Sequence, residues 1–258
     1  MKMKTRYYIL TAIFSYLFFT LGSVPADKLI ALLETNNAMP IKLYGVYGSL
    51  WNGGAEQARI PGKPPLTHLQ WSINPAALLL ARISGEVKTS INQQNIIADL
   101  SINALGTIRA SDIRARVDAK VVQNLLRLPM GELAGSFNIN IESLQLQPPA
   151  LPIIRGRIKW QNAKFTLMEP VKLGHIQLDI SPLDNNGLKA TINSAKGQLS
   201  IKGRASVDEK KQYKLELSLI PEDSASPNIR QSLGMFARRQ TDGSYLLKRN
   251  GNLTEFGL

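Results

Sequence analysis

The sequence predicts a mainly β protein: an N-terminal transmembrane helix followed by a duplicated, curved antiparallel β-sheet unit with short helices. Three observations carry that fold class. Apolar and polar residues alternate over much of the chain past residue 40, the period of strands with one buried face. An uncharged run from Tyr7 to Ala26 follows Lys2, Lys4 and Arg6. Sequence blocks also recur at a period of about 108 residues, the mark of repeated units that bury their apolar faces against one another.

The repeat rests on three ordered pairs. Gly48-Ser-Leu-Trp-Asn-Gly-Gly-Ala55 is echoed by Gly156-Arg-Ile-Lys-Trp-Gln-Asn-Ala163. His68-Leu-Gln-Trp-Ser-Ile-Asn-Pro75 is echoed by His175-Ile-Gln-Leu-Asp-Ile-Ser-Pro182, and Gln123-Asn-Leu-Leu by Gln231-Ser-Leu-Gly. The domain reading is therefore 1–26 as cytoplasmic start and transmembrane anchor, 27–147 as a first periplasmic β-rich repeat, and 148–258 as a second. Pro148-Pro-Ala-Leu-Pro152 is the stiff connector between them, since proline cannot join a central strand.

The N-terminal run has two readings. A cleaved signal peptide has a basic start, a short apolar stretch and a small-residue cleavage site, for which Val24-Pro25-Ala26 is a candidate. A membrane anchor needs roughly 20 mostly apolar residues, a length this run just reaches. Tyr7, Tyr8, Phe18 and Phe19 toward its ends fit interfacial aromatics and favour the anchor, or an uncleaved signal. Both readings keep the cations cytoplasmic and put the bulk of the chain in the periplasm, with the anchor as a single pass through the cell inner membrane.

Along the body, Leu29, Leu32 and Leu33 fall on one face of a helix from Asp27 to about Asn37, with Asp27 as a possible cap and Met39-Pro40 as its stop. Leu69, Trp71 and Ile73 alternate with polar residues, as do Ile176, Leu178 and Ile180, and Leu215, Leu217 and Leu219. In the stretch after Phe137 the phase slips between Ile141 and Leu144, which predicts a bulge or strand change at Glu142-Ser143. Val121–Leu128 and Ile229–Ala237 read as short amphipathic helices, with Pro227 suited to start the second. Asp242-Gly243 fits a hairpin turn. Pro61-Gly-Lys-Pro-Pro65 reads as a stiff connector.

Composition narrows the function. The net charge of +12, from 31 Lys+Arg against 19 Asp+Glu, favours anionic partners. The basic residues are scattered singly and match no nucleic-acid module, so no nucleic-acid partner is expected. Zero cysteines exclude disulfides, thiol catalysis and thiolate metal sites. The two histidines, His68 and His175, sit at equivalent places in the repeat. They are either a paired site or one polar strand-entry position inherited twice, and the second reading is favoured; no metal and no cofactor are expected.

No catalytic constellation is found. Ser49, Ser136 and Ser244 follow glycines but none lies in Gly-x-Ser-x-Gly. The pairs Asp208-Glu209 and Glu222-Asp223 read as solvated turns. The residues singled out are a structural motif: Gly48, Trp51, Gly54, Trp71 and Trp160. Trp51 is either a contact for a partner or acyl chain, or a core ring closing the sheet with glycines at the tight bends. Its echo at Trp160 favours the core, for which truncation to alanine would cost about 3–5 kcal/mol.

The block Gly48–Ala55 resembles the type II secretion system protein N family. Leu69-Gln-Trp-Ser-Ile-Asn-Pro75 with Leu78–Leu80, Gly156–Ala163, and the ending Leu233-Gly-Met-Phe-Ala-Arg-Arg-Gln-Thr-Asp-Gly-Ser-Tyr245 resemble its further blocks, in order and over essentially the whole chain. One departure is Ala81-Arg82, where a glycine is expected. The resemblance implies a non-enzymatic inner-membrane accessory of the apparatus that moves folded periplasmic proteins across the outer membrane. Its partners would be other type II secretion components and the inner membrane. The alternative is a periplasmic lipid-binding or lipid-transfer module whose open apolar groove shelters acyl chains, with anionic lipid as partner.

Overall fold

Antiparallel pairing between consecutive strands builds almost all of this protein. The computed structural model describes residues 7–9, 12, 24–35, 41–62, 64–91, 93–126, 131–147, 150–166 and 169–256. Within it the chain packs as two units, Met1–Gln93 and Gln94–Leu258.

In the first unit Tyr7–Ile9 and Ala12 are helical, and most of the apolar N-terminal run lies outside the described residues. Among the described residues no helix is long and apolar enough to cross a membrane. Helix α1 (Ala26–Thr35) starts one residue before Asp27, so Asp27 sits in its first turn rather than capping it. Its expected stop at Met39-Pro40 lies outside the described residues. Four strands follow in order: β1 (Lys42–Gly48), β2 (Asn52–Arg59), β3 (Leu66–Ile73) and β4 (Arg82–Ile91). β3 shows the expected alternation, with Leu69, Trp71 and Ile73 half-buried and Gln70 and Ser72 between them exposed.

A 3-10 helix, Pro75–Leu80, joins β3 to β4. Asn74 caps it by accepting a hydrogen bond from the Ala76 amide at 3.0 Å, and proline occupies a first-turn position where its missing N–H costs nothing. It ends on Ala81 at φ 50°, ψ 39°. That left-handed conformation suits glycine, which is the residue expected after Leu80.

The second unit is a longer meander: β5 (Gln94–Asn103), β6 (Ile108–Asp118), β7 (Glu132–Leu146), β8 (Ile153–Thr166), β9 (Pro170–Pro182), β10 (Leu188–Ala195), β11 (Leu199–Val207) and β12 (Gln212–Pro221). β14 (Tyr245–Asn252) pairs with β12, and the two-residue β13 (Arg238–Arg239) covers only the start of its outer edge. The phase slip in the sequence is a register shift between Ile141 and Ser143. Helix α2 (Ala119–Leu126) follows β6, and α3 (Pro227–Phe236), with proline in its first turn, follows β12. Gly243 at φ 82° forms the turn before β14.

Register puts one apolar residue from each strand of this unit in a single row. Ile96, Ala115, Ile139, Ile158, Leu178, Ile192, Gly203, Leu217 and Leu247 are successive cross-strand partners. Cross-strand neighbours share a face, so this is one continuous apolar stripe. α3 lies against part of it, where Leu199, Ile201, Leu219, Ala237 and Tyr245 are buried and Leu233, Leu217 and Leu247 pack around them. From Ile139 to Ile192 the stripe stays half-buried.

Candidate interaction surfaces

The Gly48–Gly54 segment is the turn joining β1 to β2, and its glycines are required by close approach. Gly48 has φ 81°, and a Cβ there would meet the Asn52 carbonyl oxygen at 2.6 Å and Gly53 Cα at 2.8 Å. Gly53 and Gly54 point to opposite faces. A Cβ on Gly53 would strike the Trp71 ring at 2.6 Å, and one on Gly54 the Tyr47 ring at 2.4 Å. Each aromatic ring thus lies over the bare glycine opposite it, Trp71 over Gly53 and Tyr47 over Gly54.

Hydrogen bonds from the indole and the backbone close this turn and tie it to its surroundings. The Trp71 Nε1–H donates to the Leu50 carbonyl at 3.0 Å. The Ile73 amide donates to the Trp51 carbonyl at 2.6 Å. The Leu50 amide donates to the Val24 carbonyl at 3.0 Å, beside a bridge between Pro25 and Ser49. The Ser49 amide closes the turn on the Asn52 carbonyl at 2.9 Å. The motif is therefore a junction where the segment ending the N-terminal run meets the first hairpin.

The three tryptophans are half-buried rather than enclosed, which corrects the expectation of a core ring at Trp51. Trp160 lies in β8, stacks on Phe137 with centroids 5.0 Å apart, and donates from Nε1 to the Ala134 carbonyl at 3.0 Å. Like Trp71, it donates from its indole to a backbone carbonyl earlier in the chain.

The echoed residues take different places. Gly48 ends a strand, whereas Gly156 is buried in the middle of β8 between Ile141 and Ile180. His68 has φ 51° at a register shift in β3, while His175 is an exposed β9 residue whose Nδ1 accepts from the Asn162 amide at 3.4 Å. The helices do keep the spacing: α2 starts at Ala119 and α3 at Pro227, 108 residues later. Gln123 on α2 bridges back to β7, donating to the Gly131 carbonyl and accepting from the Leu133 amide.

The carboxylate pairs serve turns. Asp208 Oδ1 accepts from the Lys210 and Gln212 amides, both at 2.9 Å. Among the described residues no three His, Asp or Glu side chains gather where they could hold a metal ion.

Opposite the apolar stripe runs a charged row that single-residue reading of the sequence missed. Arg114, Asn140, Arg157, Asp179, Thr191, Arg204, Glu216 and Lys248 are successive cross-strand partners. Arg157 pairs with Asp179, while Glu216 accepts from Arg204 and Lys248, both at 2.8 Å. Hydrogen bonds from Lys248 and then Arg204 hold the Glu216 carboxyl below its ordinary value. Gln177 and then Arg157 do the same for Asp179. Lys189, Arg204, Lys214 and Lys248 surround a recess of about 550 Å³ in which Glu216 is the only carboxylate among the described residues.

On the other face α3 and the ends of β8 and β9 enclose a cavity of about 430 Å³ lined chiefly by Phe165, Val171, Leu173, Leu199, Leu233 and Phe236. Alternation foretold apolar faces here; what no local pattern showed is that α3 covers only one stretch of them.

Residues 40–248 match the profile of the family described as Type II secretion system (T2SS), protein N. The chain belongs to that family. The matched span takes in every strand from β1 to β13 and the first half of β14, so the shared feature is the strand region. Among curated proteins it is similar to a Type II secretion system protein N of Vibrio cholerae serotype O1. They are 22% identical over 220 residues, covering 83% of this chain and 85% of that protein. No solved structure matches the chain. Membership of the protein N family supports a role in the secretion machinery.

Proposed function

We propose that this chain is a non-enzymatic, single-pass inner-membrane accessory of the type II secretion machinery, with its sheets in the periplasm. It would hold other components of that machinery in place. The observation that carries this reading is the family match across residues 40–248, nearly the whole strand region. The geometry supplies a means. Beyond the two residues paired with β13, the outer edge of β14 from Leu247 to Asn252 pairs with no strand among the described residues. Such an edge can accept a strand from a partner. The test is a deletion strain examined for secreted substrates, together with crosslinking from cysteines placed along β14. Normal secretion and no crosslink to a secretion component would sink the reading.

A second reading is favoured by one specific observation, the half-buried apolar stripe with the cavity beside α3. Apolar surface of that extent with little covering it is where acyl chains would lie. Native mass spectrometry of the protein released from mild detergent separates the two. A stoichiometric lipid supports the groove, and its absence argues against it.

A further inference from the structure

The end of the first unit that carries the Gly48–Gly54 turn also carries, among the described residues, the most exposed run of large apolar side chains. Leu78, Leu79 and Leu80 are 48%, 89% and 68% exposed, and Ile83 just beyond is 50% exposed. Isolated apolar residues on a surface are ordinary, but three in succession on a capped and ordered turn are not. The turn holds them outward: Asn74 and Ala81 fix its two ends, and of its residues only Ala77 is buried.

Connectivity places this run beside the point where the N-terminal segment enters the fold. In an antiparallel meander the β1–β2 turn and the β3–β4 connection lie at the same end. Direct bonds agree. Val24 is held by Leu50, the next residue Trp51 is held by Ile73, and the Asn74 amide donates to the Ser84 carbonyl at 2.8 Å. From the last residues of the apolar run to the root of the leucine turn is thus a path of two backbone hydrogen bonds and short stretches of chain.

We infer that Leu78–Leu80 is a membrane contact, dipping into the surface of the same bilayer that the N-terminal run enters. The inference rests on the anchor reading proposed above. The neighbouring chemistry suits a lipid interface. Exposed Arg82 follows the leucines and would meet anionic headgroups. Tyr47, 49% exposed, and half-buried Trp71 flank the hairpin turn at that end, as amphipathic rings do at headgroup level. Three leucines add apolar area at the boundary, and because the anchor already holds the chain there the association need not be strong alone.

The chain has no cysteine, so single labels are straightforward. Leu79→Cys, Pro61→Cys and Phe18→Cys would each carry an environment-sensitive fluorophore in the full chain, in nanodiscs of phosphatidylethanolamine and phosphatidylglycerol. Pro61 is exposed in the β2–β3 turn, at the opposite end of the first unit. The expected result is blue-shifted emission at positions 18 and 79, lost to a lipid-borne quencher, with position 61 unaffected. A lipid-exposed label at 18 with an aqueous label at 79 overturns the contact and leaves the anchor standing. Aqueous labels at both positions overturn the anchor and the contact together. Lipid-exposed labels at both 79 and 61 also overturn it, since the contact would then not be confined to the leucine end. A lipid-exposed label at 79 alone overturns the inference as stated, since the N-terminal run would then not enter the bilayer that the leucines meet.

Discussion

The indole of Trp71 donates to the carbonyl of Leu50 at 3.0 Å while its ring covers Gly53, so one β3 side chain closes the turn between β1 and β2. Two separable terms follow. Trp71→Phe keeps most of the ring over Gly53 and loses the hydrogen bond, a cost of about 1 kcal/mol. Trp71→Ala loses both. Because the ring is half-buried the total should be about 2 kcal/mol, below the range for enclosed rings. Thermal melts of the full chain in mild detergent should rank the two in that order.

Gly48→Ala should cost about 2–3 kcal/mol, since it combines a strained φ of 81° with a Cβ 2.6 Å from a backbone oxygen. Gly106 is the matching control. It has φ 75° and nothing within 4 Å of an added Cβ. Gly106→Ala should cost only the left-handed strain, about 1 kcal/mol. Equal losses in melting temperature would show that the close approach at Gly48 is relieved by movement of the turn.

Ala81→Gly should stabilise the protein by about 1 kcal/mol. Ala81 holds φ 50° at the end of the Pro75–Leu80 helix, and an L residue there carries a strain glycine does not. A higher melting temperature is the expected readout.

Glu216 gives a pH dependence. Its carboxyl is held below the ordinary value of 4.5 in the folded protein by Lys248 and Arg204. A depressed folded pKa contributes stability that is present above the unfolded value and lost as pH falls through the folded one. Stability should therefore decline as pH drops below about 4.5, and Glu216→Gln should flatten part of that decline by losing this contribution at neutral pH, so that the variant and the parent converge in acid. The group is exposed, so high salt should shrink the difference.

α3 should separate into an anchoring and an idle side. Ile229 is 7% exposed, and Ile229→Ala should destabilise by about 2–3 kcal/mol. Met235 is 72% exposed, and Met235→Ala should stay within about 0.5 kcal/mol of the parent. Chemical denaturation would resolve the two.

Local physics made much of the fold readable. Leu215, Leu217 and Leu219 alternate because one face of β12 is covered, and the slip after Ile141 could be read as a bulge because side-chain direction reverses at every residue. Pro227 marked the start of α3 by the same local logic. Other features depend on which strand lies opposite which. Trp51 and Trp160 share a sequence block, yet one ends a turn and the other lies within a long strand, and only pairing decides that. The row from Arg114 to Lys248 draws its residues from eight strands and has no footprint in any short window. Leu78–Leu80 read as part of a family block, but the sequence does not reveal that nothing in the fold covers them.

In the second unit each strand from β6 to β12 finds a partner in the strand just before it, with only short connections or one helix between. Such a chain can be laid down in order. A segment arriving N-terminus first can zip onto the growing edge without waiting for distant residues, and each step closes only a small loop. The width of the finished sheet is then set by how many hairpins the gene encodes, and gaining or losing a hairpin changes that width without rerouting the rest.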